Sequence, residues 1–226
     1  MSLLSHHALP RRAEYAIWAI AESEDFFRAH LSLSTTELEQ VNRIKGEGRR
    51  LEWLASRYLI HLMSGREKRG VLLKDEFGKP RLEDSPFHIS ISHSNRRAAA
   101  IAAPFSVGID LQKIVGKIER IAHKYMRTNE MESLKEETRL EHLHVYWGAK
   151  EALYKAYGRK KLDFREHILI EPFEYDLEKG KAKGIVQRED FLQVFELHYE
   201  LLDDFVLVYA LEQEETNDSH NHNSKH

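Results

Sequence analysis

Two carboxylates carry the most suggestive chemistry in this chain. Asp110 lies in VGIDLQ (107–112) and Glu151 in WGAKEALYKAYG (147–158). With the amide oxygen of Gln112 they make a set of hard oxygen donors. Such a set suits Mg²⁺ held with several waters retained. The plain alternative is that Asp110 caps a turn and Glu151 pairs with Lys155 one helical turn on. A second cluster is SISHSN (90–95), where Ser92, His93 and turn N–H groups can hold phosphate oxygens. A Ser–His nucleophilic dyad is disfavoured there, because neighbours on a strand point to opposite faces. FGKP (77–80) is a turn whose Lys79 reaches either a phosphate or water.

The elements that must position these groups follow from periodicity. Strict alternation in FHISIS (87–92) predicts a strand with Phe87, Ile89 and Ile91 on one face and His88, Ser90 and Ser92 on the other. A polar turn HSNR leads into AAAIAA, a small-residue strand pairing back on the first. SVGIDLQ alternates again, with Gly108, Asp110 and Gln112 sharing one face. Residues 13–20 read as a buried strand. Ser34 or Thr35 caps a helix over LSTTELEQ. Residues 47–63 repeat apolar positions at three and four, and Arg50 and Arg57 fall on one side of that helix. Residues 118–156 read as helices with a loop between them. Over 141–157, Tyr146, Ala149, Leu153 and Ala156 form a stripe, with Glu151 and Lys155 opposite. HILIEPF, FLQVFELHYE and FVLVYALE read as strands separated by polar turns such as EKGKAKG. The class expected is α+β, in two βααβ-like halves that would meet near Ala103–Ser106. The halves are 1–104 and 105–212, followed by a disordered tail, 213–226.

Composition narrows the chemistry. The 226 residues contain no cysteine, which excludes thiol catalysis, Cys-based zinc, iron–sulfur clusters and disulfides. No apolar run reaches the length of a membrane span and no secretory signal is evident, so a cytoplasmic protein is expected. Net charge is −3, which argues against nucleic-acid binding, yet residues 43–81 hold 11 Lys or Arg against 5 acids. That local excess of +6 fits either a defined anionic ligand or partner, or a solvated helix face.

FGKP, FHISISHS (87–94), VGIDLQ and WGAKEALYKAYG, in this order and spacing, resemble the phosphopantetheinyl transferase family, of the larger single-chain type that activates surfactin synthetase. The resemblance implies transfer of 4′-phosphopantetheine from coenzyme A to a serine of an acyl or peptidyl carrier protein, with release of 3′,5′-ADP. It implies a pseudo-dimeric fold with coenzyme A between the halves. By motif position, Asp110, Gln112 and Glu151 would hold Mg²⁺. Glu151 and Lys155 would act in catalysis, Glu151 as acceptor of the serine proton and Lys155 at the pyrophosphate. Ser92 and His93 would bind phosphates. Lys74, Gly78, Lys79 and Pro80 would line the nucleotide site, and Arg43, Arg49 or Arg57 would meet the 3′-phosphate. Many members have an acid where this chain has Gln112, so the site carries one negative charge fewer. A monomer without nucleic-acid or membrane partners is expected. Competing readings are a Mg²⁺-dependent nucleotide phosphohydrolase, a non-catalytic coenzyme A-binding module, and metal storage by His220, His222 and His226. The basic residues after Gly158 and in 43–81 could also steer an acidic carrier.

Overall fold

The computed structural model describes residues 2–214. Apart from Gln213 and Glu214, the expected tail with its histidines lies outside the described residues.

Among the described residues, eleven strands form two antiparallel sheets. The first contains β1 (Leu3–Ala8), β2 (Glu14–Ala19), β3 (Leu72–Lys74), β4 (Pro80–Leu82), β5 (His88–Ser94) and β6 (Arg97–Ala103), in the order β1-β2-β6-β5-β4-β3. The second contains β7 (Val107–Lys113), β8 (Ile168–Ile170), β9 (Lys179–Arg188), β10 (Phe191–Leu202) and β11 (Phe205–Glu212), in the order β7-β11-β10-β9-β8. Helices α1 (Glu24–Leu31), α2 (Thr35–Arg43) and α3 (Glu47–Ser64) cover the outer face of the first sheet. Helices α4 (Ile118–Tyr125) and α6 (Arg139–Tyr157) cover the second, with the short α5 (Thr128–Glu132) beside them. Between the sheets lies a third apolar layer, built from Tyr15 and Ile17 on β2, Ala99 and Ile101 on β6, Val107, Ile109 and Leu111 on β7, and Phe205 and Leu207 on β11. Burying alternate side chains into two different cores explains why β2, β6 and β11 read as nearly continuous apolar runs. The α+β class in two halves is borne out.

Local rules account for most elements. Ser34 caps α2 and shares a capping box with Glu37. The β5–β6 hairpin turns on Asn95 and Arg96, both at positive φ, the twist such two-residue loops require. EKGKAKG is not a turn: its residues from Lys179 open the ten-residue β9. The glycines there serve close packing, since a Cβ on Gly180 would meet the Tyr199 hydroxyl at 2.4 Å and one on Gly184 would meet Leu153 Cδ1 at 2.6 Å. The lysines at 179, 181 and 183 alternate outward, as befits a strand with one solvated face. β1 and α1 carried too weak a pattern to be anticipated.

Candidate active site at the seam of the two sheets

β7 is the outer strand of its sheet on the side that meets β5. Its free edge would leave backbone groups unpaired, and serine hydroxyls from β5 satisfy them. Ile109 N–H donates to Ser90 Oγ at 3.1 Å and Lys113 N–H to Ser94 Oγ at 3.4 Å. Period-two alternation puts Ser90, Ser92 and Ser94 on one face, and the three hydroxyls form a polar seam beside the apolar interlayer.

The middle serine joins the chemistry. Ser92 Oγ donates to Asp110 Oδ1 at 2.9 Å. Lys155, arriving from α6, donates to Asp110 Oδ1 at 2.7 Å, Ser92 Oγ at 3.1 Å and the Ile109 carbonyl at 2.9 Å. All three ammonium hydrogens are thus engaged. Lys155 therefore does not pair with Glu151, which decides against the ordinary i,i+4 reading. Glu151 has no hydrogen-bond or ion-pair partner among the described residues. Burial, then the neighbouring Asp110, push its carboxyl above the usual range, with Lys155 opposing. Two carboxylates sharing one cation leave uncompensated negative charge.

α6 approaches this strand closely because small residues permit it. A Cβ on Gly108 would lie 1.8 Å from the Ala152 carbonyl oxygen, so Gly108 lets helix and strand backbones touch. Gly148 similarly makes room for Val208 and Gln112.

Gln112 does not turn toward the carboxylates. Its Oε1 accepts from His144 Nδ1 at 3.1 Å and its Nε2 donates to the His144 carbonyl at 3.1 Å. Val115 N–H donates to His144 Nε2 at 2.9 Å, which matches a neutral ring protonated on Nδ1. Burial holds the His144 pKa down, in keeping with that state. The donors open to a divalent cation are therefore the Asp110 and Glu151 carboxylates. Among the described residues no cluster of three or more His, Cys, Asp or Glu gathers at metal-binding spacing. Two carboxylates with excess charge fit Mg²⁺, which keeps waters and takes phosphate oxygens for its other positions.

A cavity of about 190 Å³ opens from Lys155 along the end of α6, lined by residues 77–80, 89–91, 154–155 and 158–160. The turn containing Gly78, Lys79 and Pro80 is one wall, with Phe77 partly exposed at the mouth. The Lys79 ammonium turns away and donates to the Ala156 carbonyl at 2.6 Å. It thus caps the carbonyl end of α6, a favourable place for a cation. Burial lowers its pKa. Ser106 Oγ reaches the same carbonyl at 2.8 Å.

The upstream basic residues are not part of this cavity. Arg43 is 81% exposed and pairs with Glu39. Arg49 and Lys74 are exposed on α3 and β3. Arg57 is buried, with its guanidinium 3.2 Å from the Trp53 ring centroid and its Nε 3.8 Å from Glu37 Oε1. Burial lowers its pKa to about 9. Glu37 is gripped by Arg69 as well. His93 is on the opposite face of β5 from Ser92, as alternation requires, with Nδ1 3.1 Å from Glu52 Oε2. Of the expected site residues, Ser92, Asp110, Glu151 and Lys155 come together, and Gly78, Lys79 and Pro80 adjoin them. Sequence reasoning missed Ser90 and Ser94, whose spacing on β5 was visible, and His144, whose partnership with Gln112 was not.

Residues 106–210 match the family model described as the 4′-phosphopantetheinyl transferase superfamily. The chain is also similar to 4′-phosphopantetheinyl transferase gsp of Aneurinibacillus migulanus, at 29% identity over 111 residues. That similarity covers 48% of this chain and 46% of the relative, so it spans under half of each. The resemblance carried by the GID and WxxKExxxK motifs is therefore borne out in the half that holds Asp110, Glu151 and Lys155. No helix among the described residues is long and apolar enough to cross a membrane.

Proposed function

We propose that this protein is a 4′-phosphopantetheinyl transferase that moves the phosphopantetheine arm of coenzyme A onto a serine of an acyl or peptidyl carrier protein. The supporting observation is the seam itself. Lys155 ties Asp110 to Ser92 across the two sheets, while Glu151 stays unpartnered next to Asp110. Residues 1–104 and 105–212 act as the two walls of the cleft.

In the reaction the carrier serine oxygen forms a bond to the β-phosphorus of coenzyme A. The bond from that phosphorus to the bridging oxygen breaks, and 3′,5′-ADP leaves with the electron pair. Glu151, whose carboxyl is raised by burial and by Asp110, accepts the serine proton. Lys155 stands where negative charge gathers on the diphosphate. Ser92 orients Lys155 and Asp110 together. His93, half-exposed at the end of β5, offers a donor to a phosphate. Asp110 and Glu151 would hold Mg²⁺, which would supply charge neutralisation to the diphosphate. Gln112 positions the β7–α6 junction through His144 rather than ligating. Positioning and charge neutralisation carry most of the acceleration in transfers of this kind. A cytoplasmic monomer is the corresponding working state.

The test is intact mass of an apo carrier protein after incubation with coenzyme A and Mg²⁺. A gain of one phosphopantetheine arm is expected, with Asp110→Ala and Glu151→Ala inactive yet folded by circular dichroism. Full turnover by both variants would remove the metal assignment. Release of 3′,5′-ADP without any carrier would favour hydrolysis instead.

A further inference from the structure

A second cavity, of about 210 Å³, lies in the first half, on the α3 side of its sheet. All of its lining residues precede the stretch that matches the family model, 106–210. It shares Ile89 alone with the cavity at the seam. Strand register sets its floor. Glu14 on β2 pairs with Ala102 on β6, and Ala102 pairs with Ile89 on β5, so the three stand in one row. Leu82, on the next strand β4, lines the far end. Ile60 and Met63 of α3 form the roof. From Ala102 to Leu82 the floor is hydrocarbon over two strand spacings, about 10 Å.

The two ends differ in charge. At the β2 end, Glu14 Oε2 is held by His6 Nε2 at 2.7 Å. At the β4 end stands Arg66, half-buried. A Cβ on Gly70 would meet Arg66 Nη1 at 2.9 Å and Leu82 Cδ1 at 3.0 Å, which puts the guanidinium beside that end of the floor. Two of its five hydrogens go to the carbonyls of Glu83 and Asp84, at 2.8 and 2.6 Å. No carboxylate comes within ion-pair distance of it among the described residues, and Glu83 Oε2 accepts from Val71 N–H instead. Ser85 Oγ accepts from Phe87 N–H at 3.2 Å, and its own hydrogen meets no acceptor among the described residues. An uncompensated guanidinium with donors to spare, a free hydroxyl and an apolar slot suit an apolar carboxylate.

We infer that this slot binds a medium-chain aliphatic carboxylate, its head on Arg66 and Ser85 and its tail laid over Leu82, Ile89 and Ala102. A floor of about 10 Å takes roughly six to eight carbons. Glu14 closes the other end, because a longer tail would press hydrocarbon against its carboxylate and strip its water. The slot is independent of the transfer reaction.

The test is calorimetric titration of the full chain with butanoate, hexanoate, octanoate and dodecanoate, with octan-1-ol and octan-1-amine as head-group controls. Each added methylene up to octanoate should tighten Kd by up to about fourfold. Dodecanoate should bind no tighter than octanoate. The alcohol and the amine should bind at least about tenfold more weakly than octanoate. Ala102→Leu fills the floor without touching a charge, and should weaken octanoate at least about tenfold. Arg66→Gln should erase the preference for octanoate over octan-1-ol. Arg66 also braces the carbonyls of residues 83 and 84, so circular dichroism checks that variant's fold. If it unfolds, Ala102→Leu and the head-group series decide. No binding of any carboxylate at millimolar concentration, equal affinity for octanoate and octan-1-amine, or wild-type affinity in Ala102→Leu would each overturn the assignment. Affinity still rising at dodecanoate would overturn the stop at Glu14.

Discussion

Two lysines on α6, five residues apart, lead opposite lives. Lys150 is wholly enclosed: it and Glu130 are both 0% exposed, 2.8 Å apart. Its other hydrogens go to the carbonyls of Phe164 and Ile168, and Glu130 also accepts from Arg127 N–H and Ile170 N–H. Lys155 has a comparable set of three partners, but it is 26% exposed and its carboxylate neighbour Asp110 is 10% exposed, at the mouth of a cavity. Nearly equal hydrogen bonding thus serves two ends. On the sealed side the ion pair staples α5, α6 and the segment before β8 together. On the seam side the same kind of pair is left open to a ligand, with a second carboxylate unsatisfied beside it. The spacing WxxKExxxK places both lysines without saying which is which. Solvent access decides it.

That contrast breaks first at Lys150. Lys150→Met strands a buried carboxylate, and stability should fall by ~3–5 kcal/mol, with transfer lost in proportion to the unfolded fraction. Lys150→Met/Glu130→Leu should recover much of the stability, since apolar replacement of a buried pair is often neutral. Denaturant melts decide; a single variant as stable as wild type would mean that the pair is not sealed.

Lys155→Met should do the reverse. Under the proposed function, loss of one preorganised charge at the diphosphate predicts a fall in kcat of ~10²–10³-fold. The half-open pair should cost about 1 kcal/mol or less, a shift of ~2–4 °C in Tm. Parallel losses of rate and Tm would place Lys155 with Lys150 as a staple.

A smaller effect separates positioning from ligation at Gln112. Removing its two bonds to His144 in Gln112→Ala should cost about 1–2 kcal/mol. Gln112→Glu should keep the acceptor for His144 Nδ1 and remain active under saturating Mg²⁺. If Gln112→Ala instead raised the Mg²⁺ requirement tenfold or more with unchanged Tm, the amide would be a ligand after all.

Much of this was readable from the chain, and the parts that were not share a cause. Caps and periodicity marked α2, α3, β5, β6, β7 and the long α6, because those signals are local. β9 was hidden because glycines that make room for Tyr199 and Leu153 look like turn residues when their neighbours are unknown. The site residues were legible as types, since carboxylates, lysine and serine stood at motif positions. Their directions were not. Lys79 meets a carbonyl 77 residues away, Gln112 meets a histidine 32 away, and Arg57 is drawn inward by Glu37. Each of these contacts is settled by packing across elements, and a side chain's partner there overrides what its charge suggests.

The sealed side should also govern response to acid. His142, on the first turn of α6, stacks 5.0 Å from Tyr146 and 5.2 Å from Tyr175, with Phe173 edge-on at 4.8 Å. Neither ring nitrogen has a hydrogen-bond partner among the described residues. Burial, reinforced by Lys135, pushes its pKa down to about 4. In the unfolded chain the ring takes its proton at its ordinary pKa near 6.5. Between those values the unfolded state binds more protons, so stability rises with pH. The contribution is complete above about 6.5 and is lost as pH falls toward 4. His61, His88, His144 and His198 are also held down by burial, so His142 accounts for only part of the slope. His142→Phe keeps the aromatic stack and removes the titration. Its Tm should fall less between pH 7 and pH 5 than the wild type's, by a few degrees, with transfer at pH 7 unaltered because the ring faces away from the seam. An unchanged acid slope would show that His142 is protonated in the fold. Lost transfer at neutral pH would show that the sealed face of α6 communicates with the open one, and the division drawn between the two lysines would have to be abandoned.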